Sequence, residues 1–312
     1  MAADALRAAV VGCGHLGRHH ARILRTLDGV ALTAVVDTIP ERAAEIAASC
    51  HSSPLTDYRE IIGRVDAVVV AVPTEIHRDV TLAFLERGTS VLVEKPMAHT
   101  LEEADEMIAA AGASGATLAV GQTERYNPAF AAVAPLVTSP RFIEVHRLGV
   151  FSERSLDIAV VFDVMIHDLD IILALVRSEL VSVEAVGVPV LTPKFDIANA
   201  RLRFASGCIA NVTASRISRD RVRKIRFFQP DAYLSIDYAA QEVEGWRLVR
   251  RDGQRPSIEG GQIAVKQDEP LRRELMDFVQ AVRDRRAPIV DGLAGRRALA
   301  LATEIAGRMQ SV

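Results

Sequence analysis

Apolar and polar positions follow two different rhythms along the chain. Up to about Gly121, short β-branched runs alternate with amphipathic stretches of helical period. Strands are expected at 7–11, 30–36, 66–72, 90–93 and 117–120. Helices are expected at 16–27, at 40–48 behind Pro40, at 80–87 ahead of Gly88, and at 101–111. Residues 66–72 are almost unbroken valine, which suits a strand covered on both faces, and the alternation as a whole is that of βαβ units on a parallel sheet. After Gly121 the strand signals follow one another through short turns, at 142–149, 180–191, 200–204, 208–215, 224–228 and 233–238, with Ser206-Gly207 marking a hairpin. One prominent helix, 158–176, precedes most of them, and helices at 271–285 and 294–309 close the chain.

Composition narrows this picture by exclusion. At about 150 residues per domain, 312 residues make roughly two domains. The charges nearly cancel, 37 Lys+Arg against 40 Asp+Glu, so no global field draws the chain to nucleic acid or an acidic membrane. Aromatic residues make up 5%, too few for stacking on single strands. Cys13, Cys50 and Cys208 form no paired spacing, and the amino terminus lacks the clean apolar centre of a signal peptide; both fit a cytoplasmic protein. Residues 158–177 have the length of a membrane span but contain Asp163, His167, Asp168 and Asp170. Each charge at a bilayer centre costs roughly 2.5–3.5 kcal/mol, which argues for a soluble helix with polar work to do.

The first strand runs into Gly12-Cys13-Gly14-His15-Leu16-Gly17, the G-x-G-x-x-G spacing between strand and helix. The first glycine permits a tight turn, the second lets a pyrophosphate approach the backbone, and the third packs the helix on the strand. His15 and Leu16 belong to the same loop. Asp37 ends the second strand twenty residues after Gly17, where a carboxylate can accept a ribose 2′-hydroxyl and would repel a 2′-phosphate. The expected cofactor is NAD rather than NADP, although Arg42 follows five residues later. These signals give a Rossmann domain over 1–121, a second domain with a mainly antiparallel sheet over 122–290, and a helix at 291–312 expected to pack on the first domain. The fold class is α/β, with an α+β second domain.

With the glycine loop in place, three further motifs complete a resemblance. Ala71-Val72-Pro73-Thr74-Glu75-Ile76-His77, Glu94-Lys95-Pro96 and the helix carrying Asp163 and His167 together resemble the Gfo/Idh/MocA oxidoreductases over nearly the whole chain. The resemblance implies hydride transfer between a nicotinamide and a sugar or polyol hydroxyl. It also implies a substrate-binding and oligomerisation domain with an open sheet over 122–290, a cis Lys95–Pro96 bond, a homodimer or homotetramer, and cofactor contacts from Pro73, Thr74, His77, Glu94, Lys95 and Gln122. Arg125, Tyr126 and Asn127 are implied near the substrate, with interdomain packing an equal alternative for Tyr126.

The chemistry of the residues agrees with this. Lys95 ends a sheet strand, where doubly wound folds place ligands, and its ammonium favours a developing alkoxide. Asp163 and His167, four apart on a helix, share a face, and a histidine with ordinary pKa near 6.5 suits removal of a hydroxyl proton. The resemblance makes His167 the base and Asp163 part of the relay, both touching substrate with Lys95. Asp170 continues the face and is placed to orient the imidazole. No metal is expected, since three ligands on one helix rarely close a coordination sphere. His77 also reads as a helix-start residue. His19, His20 and His51 read as surface or helix residues without a role, and Cys13 as a small filler in the loop.

The chain also departs from the family. Many members carry glycines ahead of the Asp-x-x-x-His helix, where this chain has Ile158-Ala159-Val160-Val161-Phe162. The run from Arg216 to Arg226 holds Arg216, Arg219, Arg221, Arg223, Lys224 and Arg226 against Asp220. If extended, Arg219, Arg221 and Arg223 point one way and suit a diphosphate, while a solvated hairpin or subunit contact is the plainer reading. Residues 161–170 and 221–237 most resemble the subgroup that oxidises C3 of UDP-N-acetylglucosamine for modified lipid A. The alternatives are an inositol or free-sugar dehydrogenase and a catalytically silent NAD-bound sensor.

Overall fold

The structure is a computed structural model that describes residues 5–151, 158–252 and 254–311. Its helices are α1 (Gly17–Leu24), α2 (Pro40–Cys50), α3 (His77–Leu85), α4 (Leu101–Ser114), α5 (Pro128–Val133), α6 (Ile166–Leu175), α7 (Pro270–Asp284) and α8 (Gly292–Arg308). The strands are β1 (Leu6–Val11), β2 (Val30–Val36), β3 (Ser53–Leu55), β4 (Ala67–Val70), β5 (Ser90–Glu94), β6 (Leu118–Gly121), β7 (Phe142–Leu148) and β8 (Leu180–Val188). They continue as β9 (Ile197–Phe204), β10 (Ile209–Ser215), β11 (Val222–Gln229), β12 (Ala232–Asp237), β13 (Glu242–Val249), β14 (Ser257–Ile263) and β15 (Gln310–Ser311). The chain divides into two units, Met1–Thr123 with Leu271–Arg296, and Glu124–Pro270 with Arg297–Val312.

The first unit carries a six-stranded sheet in the order β3-β2-β1-β4-β5-β6, and every pairing is parallel. Strand order reverses between β1 and β4, which opens a crevice at their carboxyl ends, the place where such sheets bind ligands. Val68, Val69 and Val70 of β4 are fully buried, as the valine run requires. On one face, Val10, Val35 and Val69 pack with Ala21 and Leu24 of α1 and with Leu275, Phe278 and Val279 of α7. Burying each such side chain contributes about 1.5–3 kcal/mol. Thr100 and Glu103 close a reciprocal capping box at the start of α4.

The second unit is a nine-stranded sheet in the order β14-β13-β12-β11-β7-β10-β9-β8-β15. Neighbours run antiparallel except β7 with β10 and β8 with β15. Ile143, Val145, Leu202, Val212, Ile225 and Phe227 on its inner face pack against Ile166, Leu169 and Ile172 of α6 and Leu301 and Ile305 of α8. Alternate residues of β7 are half-exposed on the other face.

Three expectations need correction. Residues 271–285 were assigned to the second domain, yet α7 buries its apolar stripe in the first unit's core. Residues 297–312, expected on the first domain, belong to the second unit, where β15 extends the sheet beside β8. The helix expected as one piece over 158–176 contains a π turn, Val161–Met165, in which the Ile166 N–H donates to the Val161 carbonyl five residues back; α6 follows it. β13 and β14 had no counterpart in the hydrophobic pattern because they bury almost nothing. Among the described residues no helix is long and apolar enough to cross a membrane.

Candidate active site

The glycine loop lies at the carboxyl end of β1. Gly12 takes φ +94°, and a Cβ there would collide with the Ala71 carbonyl at the end of β4. A Cβ on Gly17 would sit on the Gly12 carbonyl, whereas one on Gly14 would meet nothing within 4 Å, so the loop is open at its middle glycine. The α1 N-terminus has neither a side-chain cap nor an acidic residue in its first turn, which leaves the positive end of its dipole for an anion. His15 and Leu16 are exposed beside it. Asp37 binds the loop back to β2: its carboxylate accepts the Cys13 N–H at 2.8 Å and the Ile39 N–H at 2.9 Å, with Arg42 at 3.8 Å. These residues fit a dinucleotide. Burial, then the Asp37 charge, pushes the Cys13 thiol up to about 12, which keeps it inert.

β5 delivers Lys95, half-buried, at its carboxyl end, followed by a cis bond to Pro96. Pro73 and Thr74, in the loop after β4, are exposed and half-buried. Two neighbours expected at the cofactor have other work. His77 is buried, with Nδ1 3.0 Å from the Pro96 carbonyl and Nε2 2.9 Å from the Val72 carbonyl. The ring braces two loops to each other, and burial holds its pKa below the ordinary value. Glu94 is buried too; its Oε1 lies 2.7 Å from Nε2 of His20, and its Oε2 accepts the Lys95 N–H at 3.2 Å. Both side chains therefore support the loops on either side of Lys95. Gln122 is buried just after β6, and the hydroxyl of the next residue, Thr123, donates to Glu274 of α7 at 3.3 Å.

In the second unit, Asp163 lies in the π turn and His167 in the first turn of α6, both half-buried. The residues around them on the helix are tied to a network of buried charge. Arg147 of β7 grips Asp168 with two hydrogen bonds, 2.6 and 2.9 Å, and gives a third to Glu124 at 2.9 Å. Burial works against the Arg147 charge, but Asp168 and Glu124 outweigh it and hold the guanidinium above its ordinary range. Asp170, expected to orient the His167 ring, accepts from Arg125 at 3.3 Å on each oxygen. Burial lifts the Asp170 carboxyl to about 6 despite Arg125. Asn127 is a helix cap: it accepts the Ala129 N–H and spends both amide hydrogens on Glu124 and the Tyr238 carbonyl. Tyr126 is buried. Arg125 and Asn127 thus make these bonds inside the second unit.

The comparisons with known proteins decide the family. Residues 6–122 match the model described as oxidoreductase family, NAD-binding Rossmann fold, and residues 140–230 match the GFO/IDH/MocA C-terminal domain. The chain is 38% identical over 306 residues, 96% of each chain, to the UDP-N-acetylglucosamine 3-dehydrogenase of Acidithiobacillus ferrooxidans. The chain belongs to the Gfo/Idh/MocA oxidoreductase family. A solved structure of that enzyme, GnnA, has a TM-score of 0.91 at 36% identity and covers 97% of both chains. The scyllo-inositol 2-dehydrogenase (NAD(+)) of Bacillus subtilis is more distant, 29% identical over 232 residues and 68% of each chain. As a Gfo/Idh/MocA protein, the chain is an NAD-binding oxidoreductase.

The basic run of this Gfo/Idh/MocA chain is not one surface. Arg216 is buried: it donates to Asp196 at 2.8 Å and to the Ile158 carbonyl at 2.7 Å, while Asp196 also accepts the Val190, Leu191 and Thr192 N–H groups. Lys224 pairs with Asp237 at 3.2 Å and Arg226 with Glu144 at 2.5 Å. The strand begins only at Val222, so Arg219 and Arg221 lie in the turn before it rather than in register with Arg223. Arg223 is exposed and stands opposite Arg147, on the sheet face that carries α6.

Proposed function

We propose that this protein is an NAD-dependent dehydrogenase that oxidises C3 of UDP-N-acetylglucosamine to a ketone. The observation that carries the substrate is the likeness along 96% of both chains to an enzyme named for that reaction, against 68% for the inositol enzyme. Oxidation of a secondary alcohol removes a proton from oxygen and a hydride from carbon. The bound nicotinamide supplies the acceptor for the hydride. His167 takes the hydroxyl proton, Asp163 on the same helix passes it on, and the Lys95 ammonium stabilises the oxygen as it gains negative charge. Gly12, Gly14, Gly17 and Asp37 hold the dinucleotide, with Pro73 and Thr74 beside it. Arg223, on the α6 face of its sheet and without a carboxylate within salt-bridge distance among the described residues, suits the substrate diphosphate.

The reading extends to a cytoplasmic enzyme that supplies a 3-keto sugar to modified lipid A synthesis and works as a homodimer or homotetramer. Three buried free thiols support the compartment, and the exposed rings of Phe228 and Trp246 on the outer sheet face support the assembly. The test is the near-ultraviolet absorbance of NADH across a panel of UDP-sugars, inositols and free aldoses. Turnover of UDP-N-acetylglucosamine is expected, and turnover of inositol or an aldose alone overturns the substrate. His167→Ala should lower kcat by about 10²- to 10⁴-fold while NAD still binds, and an unchanged rate removes His167 as the base.

A further inference from the structure

Glu94 is held on three sides within the first unit. From α1, His20 reaches it with no exposed surface of its own, and because an ionised carboxylate carries no hydrogen, Nε2 is the donor across the 2.7 Å contact. From β6, Gly121 leaves the room the carboxylate occupies: a Cβ there would stand 2.9 Å from Oε2. From α7, the buried Glu274 faces it; burial first, and then the Glu94 charge, keeps the Glu274 carboxyl well above its ordinary range. The fourth contact is the Lys95 N–H on Oε2. His20 therefore joins two pieces of the dehydrogenase machinery. It sits three residues after Gly17, on the helix whose N-terminus follows the glycine loop, and its partner is the residue before Lys95.

Stability alone accounts poorly for such a pair. Removing a carboxylate and the polar ring beside it from water is costly, and well-packed apolar residues of like volume often do as well or better. Here the carboxylate spends its second oxygen on the backbone of the lysine assigned to the chemistry.

We propose that His20 is a positioning residue for the dehydrogenase reaction, holding Lys95 and the glycine-loop helix in one fixed register through Glu94. The inference rests on the role given to Lys95 above. A misplacement of about 1 Å can cost about 100-fold in rate, so His20→Phe should lower kcat by about 10- to 100-fold and leave the sugar KM nearly unchanged. His20→Gln, which restores an N–H donor, should recover part of the loss. The deciding measurement is a double-mutant cycle. In a Lys95→Ala background His20→Phe should cost less than about twofold more, because groups that act through one another are not additive. Glu94→Gln should behave the same way and serves as the second route if His20→Phe does not fold, with thermal melting and NAD calorimetry reporting on the fold. Losses that multiply in full overturn the inference and leave Lys95 its role. A Lys95→Ala enzyme of unchanged rate removes both.

Discussion

Beside Lys95 the first unit buries a histidine and two glutamates, whereas behind His167 the second unit sets Arg147 and Arg125 against Glu124, Asp168 and Asp170. Both clusters are packed under the end of an element that carries a group proposed for the chemistry, but they handle the desolvation of charge differently. The first places two acids together, and burial and then the Glu94 charge push the Glu274 carboxyl well above its ordinary pKa. The second sets guanidinium groups against its acids, with two hydrogen bonds from Arg147 to Asp168 at 2.6 and 2.9 Å that oppose the upward push of burial on the Asp168 carboxyl. A protonated acid can change partners when a neighbour changes, but a bidentate guanidinium pair cannot change without leaving a charge buried alone. The residues proposed for the reaction in each unit therefore stand on supports of different stiffness.

The largest effect should come from breaking the stiffer one. Asp168→Asn removes one anion facing Arg147 while leaving volume and shape almost unchanged. Loss of one partner of a buried pair costs about 3–5 kcal/mol, and urea unfolding should show a loss of that size. A loss below about 1 kcal/mol would mean that Glu124 alone satisfies Arg147 and would erase the contrast between the units.

Asp170 lies between the two regimes, and its pH dependence measures how far. Its carboxyl is raised from 3.8 to about 6 by burial, with Arg125 and Arg297 opposing. Between these values the folded chain holds a proton that the unfolded chain has lost. The stabilisation from this group is therefore fully present below about pH 4 and disappears as pH rises through about 6. Asp170→Asn has no such proton, so the variant should gain on the parent by up to about 3 kcal/mol between pH 4 and pH 7 in paired unfolding curves. A gap that stays constant across that range would show Asp170 ionised throughout.

What could be read in the sequence followed from local spacing. The glycine loop, Asp37, the valine strand and Lys95 ahead of Pro96 are set by covalent neighbours, and the fold places each where the spacing implies. The π turn left no trace, because widening a helix by one residue per turn keeps the same apolar residues buried. His20 was passed over because Arg18-His19-His20-Ala21-Arg22 looks like a surface helix. Yet Gly17, His20, Ala21 and Leu24 stand at the i, i+3, i+4, i+7 spacing of a buried stripe, so a polar residue in a core position was the missed signal. Asn127-Pro128 likewise carried the mark of a helix cap with proline in the first turn, and the fold uses it as one.

The smallest expected effect tests the softer cluster. Glu274 has one oxygen on the Thr123 hydroxyl and the other, Oε1, buried without a hydrogen-bond partner among the described residues. If it is neutral at pH 7, the amide of Glu274→Gln replaces an uncharged acid of the same shape, accepts the same hydroxyl and removes no ion pair. Its unfolding free energy should stay within about 1 kcal/mol of the parent, against the 3–5 expected of the same chemical change at Asp168. The two substitutions are chemically identical, so their difference reports the protonation state of the site rather than the size of the side chain. A Glu274→Gln loss as large as that of Asp168→Asn would mean that Glu274 is charged and that the cluster under Lys95 relies on pairing too.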